Sequence, residues 1–147
     1  MILFRNPALM TIAVAWTVLA AFPLRAEIDL LKNDLLIEAA KADDLKTGET
    51  LLNRKHNVDV REHNGRTPLF IAAARGAEDF VDLLLRHDAK MNAVDKFGNT
   101  PLYYAAAGDH VGVVEILLES GVNVNIQNRR GLTPLMIAAS EGHFATV

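Results

Sequence analysis

The sequence predicts an all-α solenoid of about four helix–turn–helix repeats joined by β-hairpin-like turns, with the last repeat incomplete. Three observations predict it. The triplet Thr-Pro-Leu occurs at Thr67-Pro68-Leu69, Thr100-Pro101-Leu102 and Thr133-Pro134-Leu135, a constant step of 33 residues. Gly65, Gly98 and Gly131 keep that step two positions before each triplet. Apolar runs follow the first two triplets at one offset, at Leu83-Leu84-Leu85 and Ile116-Leu117-Leu118. A fixed period of this size marks stacked supersecondary units that cover one another's apolar faces.

The elements follow from local chemistry. One step before Thr67 stands Asp34, a sound helix cap, and it opens a degenerate first copy in the polar stretch Lys32-Asn33-Asp34. Ala39-Ala40 aligns with Ala72-Ala73, Leu51-Leu52 with Leu84-Leu85, and Asp59 with Asn92. Lacking the proline after the cap and the glycine before it, with Leu35 and Lys32 in their places, this copy reads as an N-terminal capping repeat. In the later copies Thr67 and its equivalents cap a helix by accepting a bond from a free backbone N–H, and proline suits the first helical position. Leu69, Ile71 and Ala72-Ala73 give a short helix whose small residues let a neighbour come close. Gly76 and Gly142 end that helix in a left-handed turn; Asp109 takes the equivalent place, and Asp visits this region more readily than most residues.

A second helix carries Phe80-Val81 and Leu83-Leu84-Leu85, then Val113-Val114 and Ile116-Leu117-Leu118. These runs are too wide for a one-sided amphipathic helix and fit one packed on two neighbours. Met91-Asn92-Ala93 and Val124-Asn125-Ile126 are short extended pieces leading into the glycine turns. Asp43-Asp44 reads as the end of the first helix of the cap.

With these elements in place, the pattern Asp95-x-x-Gly98-x-Thr100-Pro101-Leu102, the Ala-Ala pair, the apolar second helix and Val124-Asn125 resemble ankyrin repeats. The resemblance covers residues 34–147, with repeats starting near 34, 67, 100 and 133. Where the family usually has His after Thr-Pro-Leu, this chain has Phe70, Tyr103 and Met136. The usual Gly after the second helix survives as Gly121, with Lys55 and Asp88 in the other copies.

Residues 1–26 stand apart from the repeats, and 27–33 form a short lead. Arg5 precedes a run without charge from Ala8 to Phe22, and Pro23 and Leu24-Arg25-Ala26 follow. A basic start, an apolar run and a small-residue exit read as a signal peptide cleaved before Glu27, with the bacterial periplasm as destination. The alternative is an uncleaved membrane anchor, for which the run is at the short end of the roughly 17–25 residues a span needs. The chain has no cysteine, so packing alone must hold an exported form, and thiol catalysis and Cys-based zinc sites are excluded. Without Arg5 and Arg25, thirteen Lys and Arg face eighteen Asp and Glu, a net charge of −5. That balance argues against nucleic acid. Val147 falls inside the second helix of the fourth copy, and the chain reads as a piece of a longer protein.

No nucleophile motif, phosphate-binding glycine loop or paired carboxylate appears, so a non-enzymatic function with no cofactor, metal or small-molecule substrate is expected. His110 and His143 hold equivalent positions in successive repeats. Stacked helices lie about 10 Å apart, whereas two ligands of one zinc each lie about 2 Å from it, so a shared metal does not fit. His56, His63 and His87 have no partner at ligand spacing.

The resemblance implies binding of another protein through the turn tips and the exposed face of the first helix. Those positions hold Arg61, His63, Asn64 and Arg66, then Val94, Lys96, Phe97 and Asn99, then Gln127, Arg129, Arg130 and Leu132, with Arg75 on the helix face. Arg and aromatic residues are the types that anchor interfaces, while the second helices are acidic through Glu78, Asp79, Asp82, Glu115 and Glu119. Ordinary solvated charge is the plain alternative. The sharper expectation is a basic edge that meets an acidic patch, in an inhibitor or immunity protein or in a stress-defence accessory factor. A membrane-anchored scaffold and a metal- or His-dependent enzyme are the competing classes.

Overall fold

Thr67, Thr100 and Thr133 stand in extended backbone directly before a helix whose first residue is proline. The computed structural model describes residues 35–146, within which seven helices and no strand occur. They are α1 (35–42), α2 (Leu45–Asn53), α3 (Pro68–Arg75), α4 (Glu78–Arg86), α5 (Pro101–Ala107), α6 (Val111–Glu119) and α7 (Pro134–Glu141). The proposed signal peptide and lead, residues 1–33, lie outside the described residues.

The caps are unequal. Thr100 and Thr133 accept bonds from the backbone N–H of Tyr103 and Met136 through their hydroxyls. The hydroxyl of Thr67 makes no such bond and is buried without a partner; Phe70 N donates to the Thr67 carbonyl instead, at 3.0 Å. Asp44 does not end the first helix of the cap. It begins α2, its carboxylate accepting from the Thr47 N–H at 3.1 Å and from the Thr47 hydroxyl at 2.6 Å.

Chain reversals repeat in register. Asp43, Gly76, Asp109 and Gly142 all have positive φ after a first helix, and Lys55, Asp88 and Gly121 do so after a second. The position therefore demands a left-handed residue whatever side chain is present, and Lys55 bears the greatest steric cost.

Packing runs in two rows. The first helices α3, α5 and α7 contact one another in turn, as do the second helices α2, α4 and α6. Small residues on the first row (Ala39, Ala40, Ala72, Ala73, Ala105, Ala106 and Ala138) are buried. Leu84 and Leu117 are wholly buried, as are Leu36, Leu69 and Phe80. Gly48 lets α2 close on α4, because a methyl group there would sit 2.8 Å from the Phe80 ring.

Polar ties cross the repeats too. Asp59 accepts the N–H of Lys90 at 3.0 Å, and Asn92, one step later, accepts that of Asn123 at 2.9 Å. The rings of His110 and His143 each bond a backbone carbonyl of the preceding repeat, Ala74 and Ala106, at 3.0 Å.

Candidate interaction surface

Three finger turns project between the helix pairs, each closed at its base by a backbone bond across the turn and at its tip by one from the turn glycine (Gly65, Gly98 or Gly131). Glu62 N donates to Arg66 O, Asp95 N to Asn99 O, and Asn128 N to Leu132 O, at 2.9–3.0 Å. Side chains at the base stiffen the last two. Asp95 Oδ1 accepts from Phe97 N and Asn99 N, and Asn128 Oδ1 accepts from Arg130 N and Leu132 N. Glu62, longer by one methylene, makes no such pair in the first finger. The fingers also bond one another, Lys96 N to Asn64 O and Arg129 N to Phe97 O, both at 3.0 Å. Gly98 permits this approach: its φ is +78°, and a Cβ there would lie 3.0 Å from Arg129 N. The tips are held to one another by the backbone.

Placed on this frame, the candidate residues divide. His63, Asn64, Arg75, Lys96, Phe97, Arg129 and Arg130 are exposed, and Phe97 presents 59% of its surface. Leu132 is half-buried. Arg61 is exposed but engaged, its Nη1 donating to Gly65 O at 2.8 Å and to Val94 O at 3.0 Å, which straps the first finger to the second.

Two candidates are bonded inward, Asn99 buried and Arg66 half-buried. Asn99 is buried, its amide donating to the Tyr104 hydroxyl at 3.2 Å and its carbonyl oxygen accepting from Asn128 at 2.8 Å. Arg66 is half-buried, stacked over the Tyr104 ring at 4.6 Å and donating to its hydroxyl at 2.8 Å. Burying polar groups costs free energy unless they find partners, and these bonds tie the first two fingers to α5.

The hub of that network is Tyr104, which the sequence reading passed over. Its hydroxyl donates to Asp95 Oδ2 at 2.7 Å while accepting from Arg66 and Asn99. Asp95 has a fully buried side chain, with the Arg66 guanidinium 3.7 Å away as its charge partner. Burial, and then the bond to Asp95, raise the Tyr104 pKa above its ordinary value. Phe70 packs edge-on against Tyr104 at 6.1 Å, filling the position after Thr-Pro-Leu with apolar surface.

What remains free is a charged edge of one sign. The second and third fingers expose Lys96, Arg129 and Arg130 with Val94 and Phe97, and their one acidic residue, Asp95, is buried. No ion pair engages these three cations among the described residues. The second helices α4 and α6 expose Glu78, Asp79, Asp82, Glu115 and Glu119, with Asp82 paired to Arg86 at 2.9 Å. Among the described residues no group of three or more His, Asp or Glu is gathered for a metal, and no helix is long and apolar enough to cross a membrane.

A family profile described as ankyrin repeats (3 copies) matches residues 35–128. The chain belongs to the ankyrin-repeat family. Among curated proteins it is similar to the potassium channel AKT2/3 of Arabidopsis thaliana, 37% identical over 65 residues. That match covers 44% of this chain and 8% of the channel, so the chain spans only a small part of the channel's length. Ankyrin repeats bind other proteins, and this chain is a protein–protein interaction module.

Proposed function

We propose that this ankyrin module is exported to the periplasm and binds a partner protein bearing an acidic patch, as an inhibitor or immunity protein or a stress-defence accessory factor. The observation that carries the recognition half is the edge of fingers two and three, where Lys96, Phe97, Arg129 and Arg130 are exposed with no exposed acid among them. Arg75, exposed at the end of α3, adds a cation on the first-helix face. Clustered charge of one sign speeds encounter with an opposite patch and rejects like-charged proteins. The exposed Phe97 supplies an apolar anchor of the kind that slows release.

Export rests on the basic start, the run without charge from Ala8 to Phe22, and Ala26 before Glu27. Sequencing the mature N-terminus tests it: Glu27 as first residue is expected, whereas an intact N-terminus in the membrane fraction would favour the anchored scaffold. Recognition is tested by capture from periplasmic extract with mass spectrometry. The wild-type chain and a Glu78→Ala/Glu115→Ala variant should retain the same partner, and an Arg129→Ala/Arg130→Ala variant should lose it.

A further inference from the structure

We propose that a pocket on the row of first helices, apart from the edge of fingers two and three, takes one glutamate side chain of the partner protein. This rests on the reading that the partner is acidic, and it names the group that the partner delivers. A cavity of about 190 Å³ opens beside α1, α3 and α5, and Lys41, Arg66 and Arg75 line it with Tyr104. Phe70 and Ile71 line it as well and are buried, so the cations stand around an apolar floor. A few polar groups converging on apolar surface are the usual make-up of a ligand pocket.

The repeat supplies the control. One step of 33 residues on, Lys41, Arg66 and Arg75 become Ala74, Asn99 and Gly108, and Ile71 becomes Tyr104. One step back, Arg75 becomes Ala42. The stacking of repeats therefore does not require these cations, and they gather in a single interval of the row.

Two of the cations have donors to spare. Arg75 is exposed, and among the described residues no hydrogen bond or ion pair engages it. Arg66 gives Nη2 to the Tyr104 hydroxyl at 2.8 Å, while its Nε lies 3.7 Å from Asp95 Oδ2 and makes no hydrogen bond. Nη1 of Arg66 has no partner among the described residues. A carboxylate that accepts from Arg66 Nη1 and from Arg75 gains charge-assisted bonds, the strong kind for guanidinium donors. Lys41 is already shared between Glu38 at 2.9 Å and Glu62 at 3.9 Å and adds only its charge. Glu62 lines the same cavity, which sets a single negative charge above a doubly charged phosphate. The apolar floor favours a group with a methylene stem, and glutamate supplies both features.

The probe is the blocked tripeptide acetyl-Ala-Glu-Ala-amide, titrated into the isotope-labelled protein and followed by NMR. Saturable shifts are expected at the Nε–H signals of Arg66 and Arg75, and acetyl-Ala-Gln-Ala-amide should give none. Arg75→Ala should raise the half-saturation concentration about fivefold, the value of an exposed charge pair, and Arg75→Lys should recover part of that loss. Both variants should keep the wild-type spectrum away from the pocket, because Arg75 is exposed. Arg129→Ala/Arg130→Ala should saturate like the wild type, which separates this pocket from the finger edge. No saturable shift, an equal response to the glutamine peptide, or tighter saturation of the same signals by inorganic phosphate would overturn the proposal. So would shifts confined to Lys96, Arg129 and Arg130, although the acidic-partner reading would then stand. Retention of the captured partner by the Arg129→Ala/Arg130→Ala protein would count against the finger edge and leave this pocket untouched.

Discussion

At the residue scale, Tyr104 joins three groups that would otherwise be poorly placed: the carboxylate of Asp95, the guanidinium of Arg66 and the amide of Asn99. Tyr104→Phe keeps the ring and removes the hydroxyl, leaving Asp95 Oδ2 buried without its donor. We expect a loss of about 1–3 kcal/mol in denaturant unfolding, the range for an orphaned buried polar group. The raised pKa of Tyr104 gives a second handle. The folded state holds this proton more tightly than the unfolded chain does, so its contribution is fully present below the ordinary tyrosine value of 10.0. It fades as the pH rises from there through the folded-state pKa. Ultraviolet titration should show one phenolate forming later than free tyrosine, and the Tyr104→Phe protein should lack that component. The role of Tyr104 was hard to read from the chain because its repeat equivalents are Ile71 and Ile137. A lone phenol in an isoleucine row was the available signal. Asn99 deceived in the opposite way: its place beside a turn glycine resembles a tip position, but only the bonds to Tyr104 and Asn128 reveal that it faces inward.

At the element scale the period was legible because proline, glycine and the Ala-Ala pairs each meet a backbone or packing need that recurs every 33 residues. The positive φ of Lys55 and Asp88 extends that rule to residues that lack the glycine signal. Cap strength was not legible, since it depends on hydroxyl orientation rather than residue type. Thr100→Val should cost about 1 kcal/mol, the usual value of a capping bond. Thr67→Val should be near neutral or stabilising, because the Thr67 hydroxyl is buried without a partner. Denaturation midpoints of the two variants check this; equal losses would contradict the difference between the caps. The hydrogen bonds from Thr47 lower the pKa of Asp44. Its cap is therefore present above the ordinary carboxylate range and is lost as the pH falls through the folded-state value.

At the scale of the whole molecule, stability is shared between neighbouring repeats. Leu117 is wholly buried in α6, so Leu117→Ala should cost about 2–5 kcal/mol in unfolding. Helix α7 contacts α5 but leaves Leu135 and Met136 exposed, and residues 133–146 should exchange amide hydrogens faster than residues 100–118. Equal protection of the two segments would contradict that ordering. The proposed recognition belongs to this scale as well, because the basic edge exists only when successive fingers are stacked. Its charge could be read along the chain, but which cations stay free could not: Arg61 and Arg66 look like Arg129 and Arg130 until their bonds are seen. The most direct measurement is the binding kinetics of three variant sets against the captured partner at two salt concentrations. Arg129→Ala/Arg130→Ala should slow association, and the wild-type on-rate should fall as salt rises. Phe97→Ala should speed dissociation, at about 2 kcal/mol or more if it is the anchor, while Glu78→Ala/Glu115→Ala should leave both rates unchanged. Equal losses from the finger and back-helix variants, or no loss from either, would contradict the assignment of the finger edge as the binding surface.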